Sequence, residues 1–213
     1  MTEPSALRRL LSADRIVPVA TIEDAETAVA VAEGLLAGGI GVIEVTLRTA
    51  AAWDAIDRIV AADLGIIVGA GTVIDEQQVD RAADAGARFV VSPGLDERVV
   101  ARAGVRGVPA LPGAATASEI QRALRAGCDV VKLFPAAQLG GVEAVRALSA
   151  PFSGMGFVPS GGVGPGNLRE YFGTGAVPAV SGSWMLPADA TRSGDTSAIA
   201  RLTRAAVALL EDV

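Results

Sequence analysis

Short apolar runs rich in Val and Ile alternate along this chain with Ala-rich segments of helical period. The runs IVPVAT (16–21), GVIEVTLR (41–48), GIIVGAG (65–71) and RFVVSPG (88–94) read as strands, because β-branched residues suit a pleated, buried surface. So do VRGVPALPG (105–113), DVVKLFPA (129–136), GFVPSGG (156–162) and AVPAVSG (176–182). Between them, 22–37, 51–62, 76–85, 115–126 and 139–148 carry apolar positions at helical spacing. Ala37-Gly38-Gly39, Ala85-Gly86-Ala87 and Ala126-Gly127-Cys128 place glycine where a left-handed helix terminus is wanted, and a strand follows each.

Eight strands with helical connections predict an α/β fold, a closed parallel (β/α)8 TIM barrel. The stretch 4–13 would be an N-terminal helix capping its base, and 198–210 the outer helix after the last strand. At 213 residues the chain is short for a fold that usually takes about 250, so its loops must be compact. No linker or compositional break divides it, and a single domain over 1–213 is expected. A doubly wound open sheet would have fewer strands and one crevice. Here Gly, Pro and polar signals recur at the C-terminal end of nearly every strand, which suits a ring of loops around one mouth.

Charge narrows the field. The formal net charge is −6 and the pI about 4.7, which argues against nucleic-acid binding. The longest uncharged stretch, 147–168, is broken by Gly, Pro and Ser, so no membrane span is expected. The first residues lack a signal pattern, and the lone Cys128 has no disulfide partner, so a cytoplasmic protein is expected. There is no His. The commonest general base and metal ligand are therefore missing, and the chemistry must run on Lys, Arg, carboxylates, hydroxyls and backbone amides. No metal or other cofactor is expected.

Of the 18 basic residues only one is a lysine, Lys132, and it sits inside the apolar run CDVVKLFPA. An amine can act as a nucleophile where a guanidinium cannot. A lysine snorkelling from a strand end, or one binding an anion, are the other readings.

In GVIEVTLRT, strand alternation puts Glu44, Thr46 and Arg48 on one face, between apolar Ile43, Val45 and Leu47. That face should meet the barrel mouth. Glu44 and Arg48 are either a self-neutralising buried pair or a proton carrier and a carboxylate clamp, since the guanidinium fork suits carboxylates. GAGTV (69–73) brings the Thr72 hydroxyl to a strand end, whereas SPG (92–94) and LPG (111–113) read first as rigid turns. Ser160-Gly161-Gly162 and Gly182-Ser183 follow the last two strands, where barrels commonly hold phosphate. Pro165, Gly166 and Asn167 read as a helix start.

A buried amine, a nearby carboxylate and an anion cup fit Schiff-base cleavage of a 2-oxo acid. The motifs EVTLRT, VGAGTV, SPG, KLFPA, PSGGV and GSWMLPAD, in this order and spacing, resemble the 2-dehydro-3-deoxyphosphogluconate/4-hydroxy-2-oxoglutarate aldolases along essentially the whole chain. The resemblance implies a homotrimeric class I aldolase. Its small-molecule substrate would be a phosphorylated 2-oxo acid, released as pyruvate and D-glyceraldehyde 3-phosphate. It also implies cleavage of 4-hydroxy-2-oxoglutarate to pyruvate and glyoxylate.

By position, Lys132 resembles the Schiff-base lysine and Glu44 the general acid/base. Arg48 and Thr72 resemble the pyruvate-carboxylate binders, and Pro93 and Phe134 the pocket walls. Gly161, Gly162 and Ser183 resemble the phosphate binders, with Ser160 where Thr is frequent. Ser181-Gly182-Ser183 departs from a frequent Gly-Gly-Ser, and Ala136-Ala137 from a frequent Ala-Glu. The galactonate-series relative is one alternative; a phosphosugar isomerase or epimerase barrel with no covalent step is another. A third, a non-catalytic phosphate-binding scaffold, predicts a mouth without a convergent Lys–Glu pair.

Overall fold

The computed structural model describes residues 3–211; residues 1, 2, 212 and 213 of the expected domain lie outside the described residues. The strands are β1 (Ile16–Ala20), β2 (Val42–Thr46), β3 (Ile67–Gly71), β4 (Phe89–Val91) and β5 (Ala110–Leu111). They continue with β6 (Gly113–Ala114), β7 (Val130–Leu133), β8 (Gly156–Pro159) and β9 (Val180–Gly182). The helices are α1 (Ala6–Asp14), α2 (Ala28–Ala37), α3 (Ala52–Ala61), α4 (Glu76–Asp84) and α5 (Glu97–Arg106). After them come α6 (Ala117–Arg125), α7 (Gly141–Ser149), α8 (Leu168–Phe172), α9 (Ala188–Ser193) and α10 (Thr196–Ala208).

All strand pairs are parallel, and the strands close into a TIM barrel. One run of neighbours is β5-β4-β3-β2-β1-β9 and the other β6-β7-β8. β5 and β6 are two halves of one barrel strand. Pro112 separates them and has no N–H for a ladder, while its carbonyl accepts from Lys132 N at 2.9 Å. The first half pairs with β4 and the second with β7. The remaining seam closes where Ser160 bridges Ser181 and Phe157 N donates to Ala176 O.

The helices lie outside and bury their apolar stripes. On α3 these are Ala52, Ala55, Ile56 and Ile59, at the helical spacing the sequence shows. α1 puts Leu7 and Leu11 under the barrel, and its Arg8 guanidinium donates to Gly154 O. Gly39, Gly86 and Gly127 all have positive φ, as their helix-terminal role requires.

Most elements are a few residues shorter or shifted relative to the ranges the sequence suggests, and three differences have a clear local cause or extent. The fifth strand does not begin at 105: Val105 and Arg106 end α5, and Gly107 is its left-handed cap. The misleading residue is Val105, a β-branched side chain that faces solvent at 75% exposure. Only Val180–Gly182 of the run 176–182 is strand. The helix expected from 22 begins at Ala28, after a 3-10 turn at Ala25–Thr27, because the Asp24 side chain accepts from Glu26 N and starts the turn there.

Candidate active site

The register places Glu44 beside Val19 of β1 and Gly69 of β3, and Lys132 beside Gly113 of β6 and Val158 of β8. Both side chains point into the barrel. Glu44 is 0% and Lys132 7% exposed. Lys132 Nζ donates to Glu44 Oε1 at 3.1 Å. Glu44 therefore pairs with Lys132, and the self-neutralising Glu44–Arg48 alternative falls away. The second carboxylate oxygen, Oε2, is buried and has no hydrogen-bond partner among the described residues. A buried, unpaired acceptor is costly, and Glu44 lines the cavity into which a ligand would fit.

That cavity, about 460 Å³, opens at the C-terminal ends of the strands. It is lined by all ten candidate site residues: Glu44, Arg48, Thr72, Pro93, Lys132, Phe134, Ser160, Gly161, Gly162 and Ser183. Strand β2 ends at Thr46, so Arg48 reaches the mouth from the following turn, tied by its own N–H to Thr46 O. Its side chain is exposed and makes no hydrogen bond or ion pair among the described residues. Thr72 has φ 63°, unusual for a β-branched residue. Strain of this kind costs about 1–3 kcal/mol and gathers at functional sites.

The Phe134 ring stands at the rim, 38% exposed, with its centroid 5.6 Å from Lys132 Nζ. At that distance the ring face still attracts a cation. The Phe134–Pro135 peptide is cis. Beyond β8, Gly161 and Gly162 both have positive φ, at 89° and 78°. Both carbonyls are already bonded: Ala137 N donates to Gly161 O and Asn167 Nδ2 to Gly162 O. Asn167 begins α8, as its sequence context suggests, and braces this turn as well.

Four further residues line the cavity: Val19, Thr46, Val163 and Gly182. Thr46 was legible from alternation with Glu44. Its hydroxyl donates to Ala20 O at 3.1 Å and lies 3.1 Å from the Thr21 hydroxyl, which ties β1 to β2 at the mouth. Val19 alternates with the buried Val17 on the inner face of β1, a parity that the Pro18 between them obscures. Val163 and Gly182 are marked only by their nearness to the Gly-rich turns.

Comparison with known proteins gives one answer. Residues 7–202 match the family model of the KDPG and KHG aldolases. The chain is 46% identical over 190 residues to the 2-dehydro-3-deoxy-phosphogluconate aldolase of Treponema pallidum, covering 89% of this chain and 90% of that protein. It is 43% identical over 198 residues to the KHG/KDPG aldolase of Escherichia coli K12, covering 93% of each. Its fold superposes on the KDPG aldolase of Legionella pneumophila with a TM-score of 0.91 at 36% identity, over 94% of this chain and 98% of that one. In that crystal structure pyruvate is captured as a covalent carbinolamine intermediate.

Proposed function

The chain belongs to the KDPG and KHG aldolase family and is a class I, Schiff-base aldolase, and on that premise we propose that Lys132 is its nucleophile and Glu44 its proton carrier. The substrate in this reading is 2-dehydro-3-deoxy-6-phosphogluconate, cleaved to pyruvate and D-glyceraldehyde 3-phosphate. 4-Hydroxy-2-oxoglutarate, cleaved to pyruvate and glyoxylate, is the second substrate. The observation that carries the assignment is the 3.1 Å contact between the buried Glu44 carboxylate and the only lysine in the chain.

The Lys132 ammonium passes a proton to Glu44, and the neutral amine attacks the C2 carbonyl carbon to form a carbinolamine; Glu44 returns that proton to the carbinolamine hydroxyl, which leaves as water and gives an iminium. Glu44 Oε2, the oxygen without a partner among the described residues, takes the C4 hydroxyl proton. The C3–C4 bond then breaks. Its electron pair moves into the iminium as an enamine, and the aldehyde leaves. Protonated Glu44 returns a proton to C3, and water hydrolyses the iminium to release pyruvate and free Lys132. The contact at Oε1 holds the carboxylate against the nitrogen through these proton transfers.

The other lining residues fall into two groups. Arg48 and the Thr72 hydroxyl hold the substrate carboxylate, because the guanidinium offers a charged fork that no group among the described residues occupies. Pro93 and Phe134 are the apolar walls. Gly161, Gly162, Ser160 and Ser183 receive the distal phosphate, at the loops that bind phosphate in many barrels. In this reading the chain is a single domain of a cytoplasmic homotrimer. Among the described residues no helix is long and apolar enough to cross a membrane.

Reductive trapping tests the nucleophile. Incubation with pyruvate and borohydride should leave one reduced adduct per chain, in the peptide VVKLFPA. Lys132→Arg should lose both adduct and turnover while keeping the charge, because the guanidinium does not give up its proton. Retained cleavage in that variant, or an adduct confined to the N-terminal amine, would overturn the assignment.

A further inference from the structure

The motif GAG in β3 places Gly69 and Gly71 two residues apart, on the face that turns into the barrel. Gly69 lies beside Glu44 in the register, and Gly71 beside Thr46. Neither glycine has a positive φ, so the backbone does not require glycine at either position. What requires it is space. A Cβ on Gly69 would stand 2.2 Å from the Phe89 ring, which fills that slot. A Cβ on Gly71 would stand 2.4 Å from Glu44 Oε1, 2.7 Å from its Cγ and 2.9 Å from its Cδ. Every one of these contacts is shorter than real side chains tolerate.

The two glycines thus open two compartments on the inner wall. Phe89, with 0% exposure, occupies the lower one. The Glu44 carboxylate leans up and across into the upper one. It cannot retreat downward, since the Gly69 slot already holds the Phe89 ring. Its Oε1, the oxygen nearest the missing Cβ, is the one bonded to Lys132 Nζ. Any side chain at Gly71 must therefore displace the oxygen that contacts the nucleophile.

We propose that Gly71 is a positioning residue: its missing side chain is the seat of the Glu44 carboxylate and sets the contact with Lys132. The proposal rests on the roles given to Glu44 and Lys132 above. A shift of about 1 Å in a proton carrier can cost about 10²-fold in rate, which is the loss in kcat expected of Gly71→Ala. Trapping of pyruvate on Lys132 should continue in this variant, because the amine itself is not moved. Exchange of the pyruvate methyl protons with deuterated water, which needs the carboxylate, should slow in parallel with kcat.

The decisive measurement is a double-mutant cycle with Glu44→Gln and Glu44→Ala. Gly71→Ala should lower kcat strongly when Glu44 is present. In either Glu44 variant its further effect should be less than about twofold, because the function it supports is already gone. An equal loss in all backgrounds, or no loss with Glu44 present, would overturn the proposal. If Gly71→Ala alone fails to fold, Gly71→Ala with Glu44→Ala must fold, since the clashing atoms are then absent; failure to restore folding would also overturn it. A wild-type chain that neither traps pyruvate nor cleaves substrate would instead refute the catalytic roles themselves.

Discussion

Lys132 Nζ and Glu44 Oε1 lie 3.1 Å apart across the barrel, although 88 positions separate the two residues in the chain. A buried ion pair of this kind is a weak source of stability, because desolvation offsets most of its attraction. In the proposed reaction its value is chemical: the contact would hold the proton carrier beside the nucleophile, and the second carboxylate oxygen has no partner among the described residues.

Glu44→Gln keeps the shape of the side chain and removes its basicity. Turnover should fall by roughly 10²–10⁴, the usual worth of a positioned acid or base. Borohydride trapping of pyruvate should persist at a lower rate. Steady-state kinetics with the two substrates will measure the first effect and mass spectrometry the second. Unchanged turnover would make Glu44 a structural partner of Lys132 and nothing more.

The phosphate cup can be tested at Ser183, which is exposed and lines the cavity. Gly162 is a poor choice, because a Cβ there would meet the Ala137 side chain at 2.4 Å and its φ is 78°. Ser183→Asp puts a negative charge against the distal phosphate. For the phosphorylated substrate kcat/KM should drop by about 10²-fold, since like charges placed together cost several kcal/mol. Cleavage of unphosphorylated 4-hydroxy-2-oxoglutarate should change little. Equal losses on both substrates would move the phosphate elsewhere.

A third expectation concerns folding alone. Glu119 closes a capping box with Thr116 at the start of α6. Its Oε2 accepts from Ala115 N at 2.8 Å, and from Thr116 N and the Thr116 hydroxyl at 2.9 Å each. The bond from the Ala115 amide, with those from Thr116, holds the carboxyl below its ordinary value of 4.5. A lowered carboxylate stabilises the fold above its unfolded pKa, and that stability is lost as pH falls through the folded one. Glu119→Ala should cost about 1 kcal/mol at neutral pH. The gap between variant and wild type in thermal unfolding should close on acidification below 4.5. A gap that stays constant with pH would mean that the packing of the side chain, and not its charge, supports α6.

Much of this protein is determined by local sequence. Alternation within VIEVT decides which residues face the barrel, because the side-chain period of a strand is two. The glycines at 39, 86 and 127 end their helices with positive φ, since few other residues enter that region cheaply. One lysine among arginines, inside an apolar run, singles out the candidate nucleophile. Local signals can also conflict: Val105 has a strand-forming side chain yet lies at the end of a helix, because Gly107 and the hydrogen bond from Val108 N to Ala103 O close α5 there.

Tertiary structure decided what no single segment contains. Pro112 splits a barrel strand without opening the ring, because each half finds a different neighbour. VGAGTV reads only as the end of a strand until β2 and β4 flank it; the space left by Gly69 then belongs to Phe89, and that left by Gly71 to Glu44. Which side chain fills a gap depends on register and on the size of residues far away in the chain. A close-packed interior admits only one such arrangement, and that arrangement exists only once the barrel has closed.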